Sequence, residues 1–443
     1  MYSRRKFLRS AGYAGALSML GPYNGLVCNA QAASSSDYKA IVCLFLYGGN
    51  DSNNVLIPTD PIGYSAYAQG RGPVAIPQQQ LLPLEGVPYA VHPSMPEVQS
   101  LFAAKQLAFI ANVGNLVAPI TMQQYNSGIV SVPQNIMSHS DQVAISQTSA
   151  PTSNIQTGWG GGIADAIASV VGTAQLPTAI SYYGAAAFIN GVTSPGFISP
   201  GQGGSLFCAE NGACAQMQQA LNEMMAASEN AARVQSDQYM LSQMFALDKV
   251  YGNAISQAQP FKTPLPANAN GGYTQFTQIA QLIEARGRLG AQRQVFFTGL
   301  GSFDTHANQN AYQSSLLAPV SGAINYFAEL LQEINMLNNV TLVTLSDFNR
   351  TLQPNSSGGT DHAWGGHQIV FGGAVKGGNI YGTFPNLTLG GPDDFTLQGR
   401  WLPTTSVSQV GATLASWFGV PDASLASVFP GIGNFPNPKL SFI

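Results

Sequence analysis

The chain has little charge and little cysteine. Charged residues make up only 9% of its 443 positions, with 17 basic and 21 acidic side chains, and only 4 residues are cysteine. No basic patch is evident along the sequence. A nucleic-acid-binding protein needs such a patch to neutralise phosphates. The scarcity of charge therefore argues against a nucleic-acid partner and indicates a neutral, polar surface.

The N-terminus has the pattern of a twin-arginine export signal. Arg4 and Arg5 precede a short apolar stretch at 11–20, and an Ala-Gln-Ala cleavage site follows at 30–32. The stretch is well short of the ~20 residues that a spanning helix needs, so the signal is predicted to be removable. An ordinary secretory signal or a retained anchor is the alternative. We predict that 1–32 is a signal peptide read by the twin-arginine translocase. The mature chain would then be periplasmic or secreted, with no stable membrane span.

Three cysteines remain outside that segment. Cys208 and Cys214 are six positions apart in a loop-like sequence, and in an oxidising compartment they can form a local disulfide. Two free thiols are the alternative. Cys43 lies within an apolar run and is predicted to be a core residue.

Apolar runs alternate with helical patterns along most of the chain. Continuous apolar runs predict buried parallel strands at 39–47, 107–113, 294–300, 340–345 and 369–371. Helical periodicity follows several of them, at 96–105, 138–147, 163–171, 311–337 and 406–418. This alternation predicts an α/β fold with a doubly wound, mostly parallel sheet. We expect 33–443 to form one domain with a helical insertion or cap at about 183–290.

Acidic side chains and histidines follow the predicted strands. Only 5 histidines occur in the chain, and three of them stand beside an aspartate or one residue from it. In a doubly wound sheet, loops at the carboxyl ends of the strands form the ligand crevice. The residues expected to converge there are Asp51, Asp304, His306 and Asp347. The residues expected to lie in a loop that folds over them are Asp361, His362 and His367.

This set of side chains predicts a metal centre. Carboxylate and imidazole groups suit Zn²⁺, Mn²⁺ or Fe, and a mixed oxygen and nitrogen set does not suit a cysteine-type structural zinc. The groups suffice for one or two divalent cations, and a pair of cations activates a nucleophile and neutralises a leaving oxyanion. The alternative is that they are helix caps, turn residues and hydrogen-bonded loop histidines.

A series of short motifs runs in order along nearly the whole chain. They are Leu46-Tyr47-Gly48-Gly49-Asn50-Asp51-Ser52-Asn53-Asn54, His92-Pro93-Ser94-Met95, Ser138-His139-Ser140-Asp141, Thr157-Gly158-Trp159, Phe303-Asp304-Thr305-His306, Leu345-Ser346-Asp347-Phe348-Asn349-Arg350-Thr351 and Gly359-Thr360-Asp361-His362-Ala363-Trp364-Gly365-Gly366. In this order they resemble the exported proteins of unknown function that carry the DUF1501 domain. That family is usually placed near the alkaline phosphatase and sulfatase fold.

The resemblance implies residue roles as well as a fold. The broader superfamily places an aspartate after the first strand, matched by Asp51, and a serine or threonine nucleophile at a helix start, matched by Ser138. A helix N-terminus favours an anion, although Ser138 can also be a simple cap. Arg350 can hold an anionic substrate group as a bidentate donor or form a structural salt bridge.

The chain also departs from the family pattern. The family usually has Glu-Phe-Gly-Arg where this chain has Asp347-Phe348-Asn349-Arg350, and the aspartate is one methylene shorter. The superfamily's Asp-His pair is absent at that strand end because Phe348 follows Asp347. An Asp-His pair occurs instead at Asp361 and His362.

Together with the predicted metal centre, the resemblance implies an exported hydrolase of phosphate or sulfate esters that depends on Zn²⁺ or Mn²⁺. Its substrate would be a small anionic ester or a polysaccharide. No G-x-S-x-G elbow, P-loop or G-x-G-x-x-G is found, which weakens esterase, NTPase and dehydrogenase readings. One alternative is a non-catalytic exported protein that binds a metal or a polysaccharide. A weaker one is a surface-assembly protein.

Overall fold

The computed structural model describes residues 37–152, 155–172, 174–201, 219, 223, 232–267, 269 and 271–443. The predicted signal peptide lies outside the described residues, and so do Cys208 and Cys214. None of the helices in the described ranges has the length and apolar character needed to cross a membrane.

A large mixed sheet forms the centre of the described fold. Its strands are β1 (Lys39–Leu46), β5 (Leu107–Gly114), β6 (Ala179–Ser181), β7 (Phe197–Ile198), β8 (Arg293–Leu300), β9 (Val340–Ser346), β10 (Gly366–Phe371), β11 (Ile380–Gly382) and β12 (Thr405–Ser406). They are arranged β11-β5-β10-β9-β1-β8-β6-β7, with β12 beside β5. A smaller sheet contains β2 (Leu56–Pro58), β4 (Tyr89–Val91) and β3 (Leu82–Pro83). The expected sheet is confirmed. Strands β5, β8 and β9 are each one residue longer than the apolar runs, β1 is one residue shorter and β10 is three residues longer.

Most neighbouring strands in the large sheet are parallel. Strand β1 pairs in parallel with β8 and β9, and β6 pairs in parallel with β7 and β8. Strand β10 is the exception, because it runs antiparallel to both of its neighbours, β5 and β9. The start of β10 therefore lies at the same edge of the sheet as the end of β9.

The described helices are α1 (Pro61–Arg71), α2 (Pro96–Ala103), α3 (Met122–Ser127), α4 (His139–Thr148), α5 (Trp159–Ile167), α6 (Ala232–Ser256), α7 (Gly271–Glu284), α8 (Arg286–Leu289), α9 (Gln309–Glu333), α10 (Val407–Phe418) and α11 (Leu425–Val428). Helices α2, α7 and α9 share one buried core with one face of the sheet, and α5 and α10 share the core of the other face. Helices on both faces explain why the central strands are continuous apolar runs.

Strand β1 shows how both cores use one apolar run. Val42 and Leu44 belong to the core under α9, whereas Cys43 and Phe45 belong to the core under α10. Successive side chains of a strand point to opposite faces, so both sets must be apolar when both faces are covered. Cys43 is fully buried, as predicted from the sequence.

The position of His367 corrects one expectation. The sequence placed this residue in a loop before a short strand at 369–371, but β10 begins at Gly366 and includes His367. The strand is longer because Gly366 and Gln368 pair with residues of β5. His367 is consequently a buried strand residue.

The glycines at the start of α5 allow a close backbone contact. A Cβ atom on Gly161 would lie 2.1 Å from the carbonyl carbon of Asn190 and 2.2 Å from the amide nitrogen of Gly191. Real Cβ atoms do not approach that closely, so α5 can pack on this loop only through glycine.

We therefore predict that Gly161→Ala destabilises the protein by ~1–3 kcal/mol, because α5 and the 190–191 backbone must separate. Gly287→Ala in α8 is the matched control, since no atom lies within 4 Å of the new methyl group. That control should be neutral or stabilising by ~0.4–1 kcal/mol. Urea unfolding of the two variants measures both changes, and equal stabilities would contradict the packing argument.

Candidate metal centre

The candidate site lies at the carboxyl-terminal edge of the parallel strands. Gly48 follows β1, Asp304 follows β8 and Asp347 follows β9. The backbone turns sharply after β1, where Gly48 has a φ of 114°. A Cβ atom there would lie 2.5 Å from the Asp304 amide nitrogen, so this glycine allows the loops after β1 and β8 to touch.

The carboxylate of Asp304 is the centre of the site. Its Oδ1 atom lies 2.5 Å from Arg350 Nη1, 3.0 Å from His306 Nδ1 and 3.3 Å from His362 Nε2. Its Oδ2 atom lies 3.5 Å from His139 Nε2. The Asp304 side chain is 44% exposed, so the carboxylate that gathers these groups is also open to solvent.

His139 and His362 each present their Nε2 atom to this centre. His139 Nδ1 is 2.7 Å from Asp347 Oδ2, and His362 Nδ1 is 2.8 Å from the Met137 carbonyl oxygen. A carboxylate and a carbonyl both accept, so each Nδ1 carries the proton. When such a ring is neutral, its Nε2 atom has a free lone pair. Partners of this kind fix the tautomer and orientation of histidines that bind metals.

The three free acceptors face one another. The two Nε2 atoms are 3.1 Å apart, and one ligand atom from each of His139, Asp304 and His362 lies within 4.8 Å of the others. Donors around a tetrahedral zinc at ~2.0–2.1 Å stand ~3.3 Å apart, close to the observed separations. Two lone pairs and a carboxylate at these distances repel unless a proton or a cation lies between them. The set therefore fits a divalent cation.

The position of His362 depends on the reversed strand. The segment before β10 pairs with the segment after β9, with an antiparallel bridge between Arg350 and His362 and hydrogen bonds from the Asn349 amide to Trp364 and from the Ala363 amide to Asn349. Phe348 packs against the rings of His139 and His362, with centroids 4.8 and 4.7 Å away. The expected loop over the crevice thus contributes His362 to the site.

Arg350 forms a salt bridge with Asp304, the alternative to an anion clamp at this position. Its side chain is completely buried. Its donors go to Asp304, to the Gly48 carbonyl oxygen at 3.2 Å and to the hydroxyl and carbonyl of Thr360. Arg350 therefore holds Asp304 and two loops in place.

The surroundings shift the pKa values of several groups. Burial alone would raise the pKa of Asp304, but the Arg350 hydrogen bond and charge, with His306 and His139, lower it. Burial lowers the pKa of His362, which favours its neutral form as a ligand. Asp304 is therefore an anion and His362 a neutral acceptor near neutral pH.

Asp51 lies apart from this cluster. Its Oδ2 atom forms an ion pair with Arg71 and accepts a hydrogen bond from Gln309 Nε2 at 2.7 Å. Both members of the ion pair are buried. The charge of Asp51 is thus already balanced by a guanidinium from α1.

Asp361 and His367 also lie outside the three-residue cluster. Asp361 Oδ1 accepts a hydrogen bond from Asn355 Nδ2 at 3.0 Å. The His367 ring stacks on Phe384, and its Nδ1 accepts a hydrogen bond from the Asn112 amide at 3.2 Å. Asp347, the remaining expected ligand, contacts the site indirectly, because it binds His139 and accepts from the Gly48 amide at 3.0 Å.

An open depression of about 410 Å³ lies beside the cluster. Ser140 lines it together with His139 and Asp304. Ser138 is the N-cap residue of α4, makes no side-chain capping bond, and has its Oγ atom 3.1 Å from Ser140 Oγ. The helix start thus brings two hydroxyl groups close to the proposed ligands.

Two important residues were not among the expected site residues. His139 stands in the motif Ser138-His139-Ser140-Asp141 but is not among the expected ligands, although the scarcity of histidine, with only 5 in the chain, is a signal for it. No sequence pattern marked Arg71 as a site residue. Its role depends on a contact between α1 and Asp51 after β1, which forms only in the folded chain.

The family comparison agrees with the motifs. The model of the family described as "Protein of unknown function (DUF1501)" matches residues 38–396. The chain therefore belongs to the DUF1501 family, which confirms the resemblance seen in the sequence. No curated protein sequence matches the chain.

Several solved structures are similar at low identity. A sulfatase from Pseudoalteromonas sp. is 11% identical, with 93% of this chain and 76% of that chain covered and a TM-score of 0.33. Alkaline phosphatase from the Antarctic bacterium TAB5 is 12% identical, with 78% and 94% covered and a TM-score of 0.31. The C-terminal periplasmic domain of EcEptC from Escherichia coli, in complex with Zn, is 10% identical, with 91% and 87% covered and a TM-score of 0.34. Scores at this level establish no residue correspondence.

Two buried histidines make stability depend on pH. Burial lowers the pKa of His92 to about 4 and that of His367 to about 3. Below pH ~6.5 the unfolded chain takes up protons that the folded chain excludes, so stability falls as the pH falls. The expected slope is up to ~1.4 kcal/mol per pH unit for each histidine.

His92→Asn should reduce the change in unfolding free energy per pH unit by about the contribution of one histidine. The Asn Oδ1 atom can accept the Ser94 amide hydrogen bond that His92 Nδ1 accepts at 3.0 Å. Urea unfolding of the parent and the variant between pH ~6.5 and ~4 measures the difference. Parallel slopes would show that His92 does not remain neutral when folded.

Proposed function

We propose that this protein is a metal-dependent hydrolase of phosphate or sulfate esters, with one Zn²⁺ or Mn²⁺ held by His139, Asp304 and His362. The proposal depends on one observation. Two imidazole rings, each with its Nδ1 proton already donated, direct their Nε2 lone pairs at each other and at the Asp304 carboxylate. Two nitrogens and one carboxylate oxygen are also the ligand set of several catalytic zinc sites, which keep an open fourth position.

The remaining expected ligands favour one cation over two. Asp51 is neutralised by Arg71 and hydrogen-bonded by Gln309, and Asp347 is occupied by His139 and by the Gly48 amide. His306 is the side chain still available, because it lies 3.0 Å from Asp304 Oδ1 and is 47% exposed. We assign to His306 either the fourth ligand position or the transfer of a proton to the leaving group.

Each group of the site has a part in this proposal. When bound, the cation supplies Lewis acidity toward the ester oxygen and the charge that balances an anionic substrate. Arg350 fixes Asp304, and Asp347 fixes His139. A hydroxyl of the pair Ser138 and Ser140 attacks the phosphorus or sulfur atom and loses its proton to solvent, while the bond to the alcohol oxygen breaks and that oxygen leaves with a proton from His306 or water. Water then hydrolyses the serine ester. Both serines lie at the start of α4, and Ser140 lines the depression. The N-terminal amides of a helix stabilise an anion placed there.

Export and the cap belong to the proposal as well. The pattern at 1–32 supports export through the twin-arginine translocase to the periplasm or beyond, where phosphate and sulfate esters of the surroundings are the available substrates. A local disulfide between Cys208 and Cys214 would form after export. We also propose that about 183–290 is a helical insertion or cap within the single domain 33–443.

A non-catalytic metal-binding protein is the second candidate. One observation favours it, since the side chains that line the depression within the described residues include no Lys or Arg that could grip an anionic ester. Such a protein would bind the cation with the same three ligands and hydrolyse nothing.

We expect the purified protein to contain one equivalent of Zn²⁺ or Mn²⁺, and His139→Ala, Asp304→Ala and His362→Ala each to lose it. Elemental analysis of chelator-free preparations measures this directly. Asp347→Asn should retain the ligands but weaken metal affinity ~10–100-fold, because the His139 ring loses its orienting carboxylate.

His92→Asn and His367→Gln are the matched controls, because both replace histidines outside the cluster. Both should retain the metal. Metal content that survives all three alanine substitutions would disprove the assigned ligands. His306→Ala separates the two roles proposed for that residue. If His306 is a ligand, the variant should bind the metal more weakly; if it is a proton donor, the variant should keep its metal affinity.

We also expect the metal-loaded protein to hydrolyse 4-nitrophenyl phosphate or 4-nitrophenyl sulfate. Replacing the attacking serine by alanine should lower kcat by ~1000-fold or more, while the metal content stays at one equivalent. Ser138→Ala and Ser140→Ala identify which hydroxyl attacks. Activity retained in both, and in the double variant, would assign the attack to water. A loaded protein that hydrolyses neither ester would leave the metal-binding alternative.

A further inference from the structure

Two stacked tyrosines extend the candidate site along the sheet edge. Tyr47 directly follows β1 and lines the depression with His139 and Asp304. Tyr183 follows β6, and its ring stacks on that of Tyr47, with centroids 4.9 Å apart and planes inclined by 18°. Because β6 lies beyond β8 in the sheet, the pair continues the site from the metal cluster toward β6.

The backbone of β8 is shaped to receive this pair. A Cβ atom on Gly299 would lie 2.9 Å from Tyr183 Cγ and 2.9 Å from Tyr47 Cε2. Any side chain at this position would push both rings away. Tyr47 is further fixed by a hydrogen bond that its hydroxyl accepts from Gln147 Nε2 at 3.1 Å. The rings are therefore held against the sheet edge.

The outer ring is open to solvent. Tyr183 is 39% exposed, although Tyr47 covers one side of it. An aromatic ring that is fixed on one face and accessible elsewhere offers a rigid, flat surface at little cost in conformational entropy. The surface lies beside a site whose proposed reaction requires an organic group next to the ester.

The chemistry around the pair indicates a neutral, polar group. Ser140 and Ser302 are exposed hydroxyl residues of the same depression, whose described lining includes no Lys or Arg. A nucleotide tail with several phosphates would have no cationic side chain to pair with here. A sugar ring instead has an apolar C–H face for the tyrosine and hydroxyls for the serines.

We propose that Tyr183 is a binding platform for a pyranose ring, so that the substrate of the site is a phosphate or sulfate ester of a carbohydrate. This assignment rests on the proposed hydrolase function for the ester, but the stacking itself requires no metal. The C–H face of the sugar packs on Tyr183, and the ester group then points along Tyr47 toward Asp304.

The test uses neutral disaccharides, which carry no ester and need no cation. Binding of cellobiose, maltose and lactose to the full-length protein is measured by saturation-transfer NMR, with chelator present. We expect at least one to bind, and Tyr183→Ala to weaken it ~10-fold or more. Tyr183→Phe should bind within ~2-fold of the parent because the ring face is retained. Gly299→Ala should also weaken binding, because it displaces both rings.

Tyr312→Ala is the matched control, since Tyr312 on α9 is a tyrosine that is 53% exposed. Its binding should equal that of the parent. The platform is disproved if no disaccharide binds or if Tyr183→Ala binds as well as the parent. If benzyl alcohol binds and none of the disaccharides does, the proposal is also wrong, and the substrate carries an aromatic group at this position. Disaccharide binding at Tyr183 in a protein that takes up no metal would disprove the hydrolase and leave the platform intact.

Discussion

The contact between Arg350 and Asp304 is the interaction on which the rest of the site depends. A fully buried guanidinium is tolerated only when its charge and its donors are satisfied. Here its partners come from three places, the loop after β1, the loop after β8 and the segment before β10. The Arg350 guanidinium thus connects loops that lie far apart in the sequence. It also fixes the carboxylate of Asp304, which lies within 3.5 Å of ring nitrogens of His139, His306 and His362.

A second arginine and aspartate pair lies behind the first. Gln309 connects them, because it donates to Asp51 and accepts from the Thr360 hydroxyl at 3.0 Å, while Arg350 Nε donates to the same hydroxyl at 3.3 Å. Of the Asp51 carboxylate, Oδ2 takes part in this chain, whereas the buried Oδ1 has no hydrogen-bond partner among the described residues. Arg71 pairs with the buried Asp51, whereas Asp304, the partner of Arg350, remains accessible to solvent.

The sequence predicted the framework better than the contacts. Continuous apolar runs such as 39–47 predicted buried strands because both faces of the sheet are covered. Burial on both faces leaves its mark within the sequence of a single strand, so it can be recognised without knowing the neighbouring strands. The pairing of Asp51 with Arg71 and the orientation of His139 by Asp347 join segments 20 and 208 residues apart. No local pattern contains such contacts. His367 was misplaced because an antiparallel strand extended by pairing with β5, which is again a property of the neighbour.

The reversed strand β10 resolves an apparent conflict in the order of the motifs. In parallel strands, functional residues come after a strand, yet His362 comes before one. Because β10 runs against its neighbours, its beginning lies where theirs end. His362 therefore lies at the edge of the sheet that carries the site, and the chain then continues into β10.

The donors of the cluster are dispersed along the sequence. They stand at positions 139, 304 and 362, and a cation bound to all three would close two large loops at once, much as covalent crosslinks do. The unfolded chain has no such arrangement, so a bound cation would add to the stability that the buried cores already provide. The centre would then contribute to the cohesion of the whole domain, and a change of ligand would alter thermal stability as well as chemistry.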